Sequence, residues 1–290
     1  MEAIALSDGR LVELGEPSVG GSKNETRFGR IGQQRVVVKI ERTHGRPAEE
    51  ERALRFLAAH RVRVPAVIGS GITRDGRHFV VISREEGVST STPEGWERFG
   101  RDLAALLDVA TAGCPFPFVT TAAFVADHHR RLQLVRPLLR DDLADEISRA
   151  ITQISSSTRL VVTHGDPGSG NYLDNATGGG ILLDWETASV SPFGLDLGRA
   201  AFIGLLDLRR SGIPGELVAA FIRGYTSRSS LAAQMSEELV RAWITVAGLQ
   251  FIHGRHTQPL LPERAPQVAA RVLESYLQRH PRPAVGLRAC

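Results

Sequence analysis

The hydrophobic and polar pattern divides the chain into two unlike parts. Over the first ninety or so residues, Arg10–Leu14, Glu25–Ile31 and Gln34–Ile40 are short apolar-containing stretches separated by Gly or polar turns, and each predicts a strand. The run Val36-Val37-Val38-Lys39-Ile40 is β-branched and apolar, a buried strand interrupted by one lysine. A helix follows: Pro47 stands near its start, Glu49, Glu50 and Glu51 fill its first turns, and Ala53, Leu54, Leu57 and Ala58 recur at helical spacing. Val67–Ile72 and His78–Ser83 predict two more strands, with Asp75-Gly76 in their turn, and the polar stretch Arg84–Glu94 reads as a hinge.

Beyond the hinge the period changes to that of helices, over about Glu94–Ala112, Phe124–Leu139 and Asp142–Ile154. Two strands interrupt them, Leu160–Thr163 and, after Gly178-Gly179-Gly180, Ile181–Trp185. Three or four further helices run to about Arg279, and Pro281–Cys290 reads as a loose tail. There is no internal repeat or low-complexity tract. The expected architecture is α+β: a small β-rich lobe over residues 1–84, and a larger, mostly helical lobe over 85–290, with a cleft between them.

Composition agrees with this outline and narrows it. A chain of 290 residues, 42% hydrophobic and 23% charged, has room for two lobes with their own cores. No apolar run reaches the length of a membrane span, and MEAIALSDGRLVEL has neither the basic start nor the long apolar segment of a signal peptide. Cys114 and Cys290 are far apart and read as free thiols, so a cytoplasmic location is expected. Of 35 basic residues only two, Lys23 and Lys39, are lysines. In a chain that otherwise uses arginine, a lysine suggests a place where a planar guanidinium would not serve.

The stretch Thr163–Leu173, THGDPGSGNYL, carries the first chemical signal. Gly and Pro account for a turn there, but not for an asparagine five residues after Asp166. Phosphoryl transfer to a hydroxyl needs a carboxylate to orient that hydroxyl, oxygen ligands for Mg²⁺ and a cation on the phosphates. Asp166-x-x-x-x-Asn171 has the kinase spacing for base and metal ligand. A second acid, Asp184, ends the strand ILLD, and Lys39 on a strand with Glu50 on the next helix fits the remaining part.

HGDPGSGN followed by ILLDWETASVSPFGLDLGRA resembles the aminoglycoside phosphotransferase and choline kinase superfamily of small-molecule kinases. The resemblance covers about residues 15–255 in outline and is specific between Val161 and Arg199. It implies a bilobal, protein-kinase-like fold with ATP or GTP in the cleft. By position it implies Asp166 as catalytic base, Asn171 and Asp184 as Mg²⁺ ligands, and His164 and Asp196 as supports of the catalytic loop. It also implies Lys39 on the α/β-phosphates, held by Glu50 or, one residue on, by Glu51. Gly20, Gly21 and Ser22 fall where the family has its phosphate-covering loop, beside Lys23. Ser83–Glu85 falls where the backbone meets the purine. Glu186 faces substrate or caps a turn.

Other chemistries are excluded. Neither lysine stands in the Gly-Lys-Ser/Thr of a Walker loop. Gly168-Ser169-Gly170 leads to Leu173 where a dinucleotide fingerprint needs its third glycine. His128-His129 and His253…His256 lack partners for zinc and read as helix-surface histidines. Arginine is scattered without clustered aromatics, so no nucleic-acid partner is expected. The resulting expectation is an O-phosphotransferase acting on a small-molecule hydroxyl. An antibiotic is preferred as acceptor because the chain is compact; the alternatives are a metabolite kinase of choline, sugar or homoserine type and an inactive nucleotide-binding module. The net charge of +3 and the sparse acids after Leu195 favour an acceptor with at most one positive charge.

Overall fold

The structure is a computed structural model that describes residues 2–17, 24–42, 45–156, 159–175, 179–207, 214–257 and 265–281. Gly20, Gly21, Ser22 and Lys23 lie outside the described residues, as does most of the C-terminal tail.

The N-terminal part is an antiparallel sheet of six strands: β1 (Glu2–Ala5), β2 (Leu11–Pro17), β3 (Glu25–Ile31), β4 (Gln34–Ile40), β5 (Val67–Ile72) and β6 (His78–Ser83). Their order is β1-β2-β3-β4-β6-β5. The sheet curls until its edges approach, where the Ser7 amide donates to the Ser70 carbonyl at 3.0 Å and Arg10 donates to the Ile68 carbonyl at 2.8 Å. Val36, Val38 and Ile40 of β4 join Val12, Leu14, Phe79 and Val81 in a core of their own on one face. Side chains alternate along a strand, so Val37 and Lys39 face the opposite side. That side is covered by α1 (Pro47–Ala59), whose Ala53, Leu54 and Leu57 pack with Val80 and Ile82 into the larger core of the helical part. Burying Leu54 and Leu57 contributes about 1.5–3 kcal/mol each, and it fixes α1 against the face that carries Lys39.

The connector is not a plain hinge. It contains β7 (Val88–Ser89), which pairs with β9 (Tyr172–Asp174) and thereby fastens the chain to the helical part. A two-residue strand has too short a pattern to read from sequence. Next come α2 (Pro93–Ala104), α3 (Thr121–Val135) and α4 (Asp141–Ile154). Thr92 and Thr120 cap the first two, accepting from the Gly95 and Ala123 amides at 3.2 Å each. The helix expected to reach Ala112 ends at Ala104 and tightens into one 3₁₀ turn, Ala105–Asp108.

Then β8 (Leu160–Thr163) pairs with β11 (Ser189–Pro192), and β9 pairs with β10 (Ile181–Leu182). The strand expected over Ile181–Trp185 stops at Leu182, because Asp184 takes a left-handed backbone with φ +63°. The chain finishes with α5 (Leu195–Asp207), α6 (Pro214–Ser227), α7 (Glu237–Thr257) and α8 (Ala265–Arg279). Among the described residues no helix is long and apolar enough to cross a membrane. The architecture is the expected mixed one, an antiparallel sheet followed by a mostly helical part.

Candidate active site

The turn after β8 is held from below by a buried carboxylate. Asp196, in the first turn of α5, accepts the amides of His164 at 2.6 Å and Gly165 at 3.0 Å. Burial pushes the Asp196 carboxyl above its ordinary range, against the pull of His164 and the two amides. Gly165 has φ +83°, and a side chain there would strike the Thr187 carbonyl, so only glycine fits. His164 is fully buried and ties two segments together. Its Nε2–H donates to the Leu183 carbonyl at 2.8 Å, and its Nδ1 accepts the Asp166 amide at 3.3 Å. Both bonds require the neutral ring, which burial favours by lowering the His164 pKa. The ring also leans on Trp185, 4.4 Å away.

These bonds place Asp166 on a rigid turn with its side chain about a third exposed, at 37%. The Asn171 Nδ2 donates to the Asp166 carbonyl at 2.9 Å, which leaves the Asn171 amide oxygen as an acceptor with no partner among the described residues. Asn171 is anchored through its neighbour: Tyr172 stacks on Phe99 of α2 at 4.7 Å and donates to Asp102 at 2.8 Å. Two residues on, buried Asp174 takes a two-pronged bond from Arg98, at 2.9 and 2.6 Å.

Lys39 joins the two parts of the molecule. Its Nζ lies 2.7 Å from Glu50 and 3.1 Å from Asp184, residues 11 and 145 positions away. The register of the expected salt bridge is thereby read directly: Glu50 is fully buried and pairs with Lys39, whereas Glu51 pairs with Arg55 at 2.9 Å. Burial opposes the Lys39 ammonium, but the two carboxylates outweigh it and hold its pKa above the ordinary value. Burial raises the Glu50 pKa, with Lys39 pulling against it. Glu50 also accepts the Trp185 amide at 3.3 Å, so α1, β4 and the turn at Asp184 share one carboxylate.

Lys39, Asp166, Asn171 and Asp184 line a cleft of about 720 Å³ between the sheet and the helical part. Val37 lies opposite Ile82 in the β4–β6 ladder and Lys39 opposite Val80. The Val37–Ile82 pair therefore sits nearer the connector, and Lys39 two pairs deeper. Ser83 and Glu85 of the connector also line the cleft, as do Leu173 and Leu183 from the helical part. Arg84 lies over the Phe28 ring at 4.4 Å.

Arg199 was not singled out by sequence reasoning. Arg199 donates to the Asp166 carboxylate at 3.2 Å. It follows Asp196 by three residues, a spacing that puts both on one face of α5, which was the available signal. Glu186, left open between substrate and turn, is buried and accepts a bond from Asn24 of the sheet part at 2.8 Å. His128 corrects an expectation. It is not on the helix surface but is 1% exposed, stacked on Phe124 at 3.8 Å, with its Nε2 2.9 Å from Gln250. The apolar stripe of α3 includes Phe124, His128, Leu132 and Val135, and a histidine can occupy it because its two nitrogens find partners inside.

A sequence model of the phosphotransferase enzyme family, APH, matches residues 16–237. The chain belongs to this family. At the level of sequence no curated protein matches. Among solved structures, this APH-family chain is similar to a microcompartment-associated aminopropanol kinase, at 20% identity and a TM-score of 0.66, covering 92% of this chain and 93% of that one. It is similar to a choline/ethanolamine kinase family protein from Mesorhizobium loti, at 19% identity and a TM-score of 0.64, covering 91% and 88%. It is also similar to a macrolide 2′-phosphotransferase from Brachybacterium faecium, at 17% identity and a TM-score of 0.59, covering 90% and 91%. At these identities the likeness is one of fold, and the fold is that of this group of kinases.

Proposed function

We propose that this APH-family phosphotransferase moves the γ-phosphoryl group of ATP or GTP to a hydroxyl of a small cytoplasmic molecule, with Mg²⁺ as cofactor. The observation that carries the reading is the meeting of Lys39 and Asp184 at 3.1 Å in a cleft that also holds Asp166 and Asn171. Residues 1–84 and 85–290 act as the two lobes that enclose the nucleotide. Its purine lies among Val37, Ile82, Leu173 and Leu183, against the backbone of Ser83–Glu85. The Lys39 ammonium, oriented by Glu50, binds the α/β-phosphates; Gly20, Gly21 and Ser22, which lie outside the described residues, are assigned to the phosphates from the sequence alone.

The donor set suits a hard cation. Among the described residues the Asn171 amide oxygen has no hydrogen-bond partner, and Asp184, which lines the cleft, offers a carboxylate 38% exposed. When bound, Mg²⁺ neutralises charge on the β- and γ-phosphate oxygens. Asp166 receives the acceptor hydroxyl, orients it toward the γ-phosphorus and takes its proton as the new O–P bond forms and the bond from the γ-phosphorus to the β-phosphate oxygen breaks, releasing ADP or GDP. His164 and Asp196 keep that carboxylate in place through the backbone.

The relatives include kinases of an antibiotic and of amino alcohols, by their names. We favour an antibiotic acceptor that is neutral or carries at most one positive charge, because the chain has a net charge of +3 and few acids after Leu195. The test is a thermal-shift series with MgATP and MgGTP, followed by mass spectrometry of an antibiotic and metabolite library incubated with enzyme and nucleotide. Stabilisation by a nucleotide and one acceptor gaining a phosphate are expected. No stabilisation and no phosphorylated product would reject the reading.

A further inference from the structure

Beyond its backbone bonds, Asp166 is held by one group. Two side-chain torsions turn its carboxylate, and among the described residues Arg199 alone bonds to it, Nη2 donating to Oδ1 at 3.2 Å. Oδ2 has no hydrogen-bond partner among the described residues. An arginine has more torsions than the aspartate it holds, and a partly exposed pair of this kind adds little to stability. Arg199 fixes the carboxylate only if something fixes Arg199.

A series of hydrogen bonds into the helical part does so, and chemistry sets the direction of each. Arg199 is donor only, and its Nη1 donates to the Gln250 Oε1 of α7 at 3.3 Å. The Gln250 amide therefore turns its Nε2 toward His128 of α3, whose Nε2 accepts at 2.9 Å. The other His128 nitrogen, Nδ1, carries the proton and donates to the Phe124 carbonyl at 2.7 Å. Only the neutral ring accepts in this way, and burial favours that form. With the amide reversed, Nε2 would meet Arg199 donor to donor, so His128 selects the orientation that offers Arg199 an oxygen. The helices behind are fixed by packing: Phe124 lies 5.5 Å from Trp243 of α7, and Phe202 of α5 lies 5.5 Å from Phe251 of α7. The Arg199 Nε is buried with no hydrogen-bond partner among the described residues, an unfavourable placement that a bond made for stability alone does not require.

We propose that Arg199, Gln250 and His128 are positioning residues for phosphoryl transfer: together they fix the Asp166 carboxylate by its Oδ1 and leave Oδ2 for the acceptor hydroxyl. This rests on the kinase reading with Asp166 as the group that receives that hydroxyl. A misplacement of about 1 Å at a reacting group can cost about 10²-fold in rate. Lys39 and Asp184, assigned to the nucleotide and its metal, make no bond to this series. Breaking it therefore acts on kcat and spares nucleotide binding.

The test is release of labelled γ-phosphate from MgATP and MgGTP to water, the acceptor present in every assay, at a temperature where melting curves show each protein folded. Wild type, Gln250→Leu, His128→Leu and His128→Gln are compared. Both leucine variants are expected to lower kcat about tenfold or more with nucleotide KM within about threefold, a split that general loss of structure does not produce. His128→Gln restores an acceptor for the Gln250 amide and is expected to bring kcat back to within about threefold of wild type. Wild-type kcat in the leucine variants, or a His128→Gln as slow as His128→Leu, would overturn the proposal. Two measurements read the same point without turnover. Nitrogen NMR of wild type is expected to show His128 protonated on Nδ1, and a proton on Nε2 overturns the series. Crystal structures of wild type and Gln250→Leu are expected to show Arg199 on Asp166 in the first and withdrawn beyond hydrogen-bond reach in the second; a guanidinium kept on Asp166 in the variant overturns the proposal. Wild type that releases no phosphate from either nucleotide, with Arg199 withdrawn in the variant crystal, counts against the kinase reading and leaves the hold on Asp166 upheld.

Discussion

Lys39 and Glu50 are joined at 2.7 Å across the interface of β4 and α1, with Glu50 fully buried. The pair occupies the floor of the cleft, and Asp184 stands 3.1 Å from the same ammonium. The space between these carboxylates fits a compact cation. Lys39→Arg is expected to raise nucleotide KM or lower kcat about tenfold or more, although charge is conserved, because the planar fork cannot occupy the ammonium's place. Steady-state kinetics beside a melting curve check this; wild-type kinetics would remove Lys39 from the phosphate site.

Asp184→Ala and Asn171→Ala are expected to raise the Mg²⁺ concentration needed for half-maximal activity. Asp184 should have the larger effect, since a charged oxygen binds the cation more strongly than an amide oxygen. Mg²⁺ titrations of turnover unchanged in both variants would dismiss the metal assignment.

Asp196→Ala removes the acceptor for the buried His164 amide and the half-buried Gly165 amide at once. Each unpaired group costs about 1–3 kcal/mol, so a loss of about 2–6 kcal/mol is expected from urea denaturation, with a parallel loss of activity. A loss below 1 kcal/mol would mean that water replaces the carboxylate.

His128 gives a pH test. Burial lowers its pKa to about 4 from the ordinary 6.5. The unfolded chain therefore takes up a proton near pH 6.5 that the folded chain refuses. The contribution to stability is whole above pH 6.5 and declines as pH falls toward 4, by up to about 3 kcal/mol. Asp196 and Glu50, raised by burial, act in the opposite sense, so the comparison is with His128→Leu. Melting temperatures between pH 7.5 and 4.5 should fall more steeply in wild type than in that variant. Parallel slopes would show that His128 is protonated in the fold.

The strands Glu25–Ile31 and Gln34–Ile40 were legible residue for residue, because each is a short β-patterned run between polar or glycine-containing stretches, and the second has a buried face of Val36, Val38 and Ile40. The alternation that buries Val38 and Ile40 also turns Lys39 toward the cleft, so its place followed from the strand itself. The helix after it carries three successive glutamates, and pattern alone left the partner open between Glu50 and Glu51. Packing of Leu54 and Leu57 under the sheet sets the rotation of α1 and with it the pairing of Glu50. The strand before Asp184 was read too long, since an αL turn at an aspartate leaves no mark in a hydrophobic run. Arg199 and Gln250 were missed for a different reason. They sit 51 positions apart on helices whose facing is decided by tertiary packing, and one arginine on a helix looks like any other.

Asp166→Asn tests the central claim most directly. Transfer of labelled γ-phosphate is measured at saturating Mg²⁺ and nucleotide, with nucleotide affinity determined in parallel. The account predicts a fall in kcat of about 10²–10⁴-fold with affinity within about threefold of wild type, since the amide keeps the shape and loses the base. A variant that retains half of the wild-type kcat would contradict it.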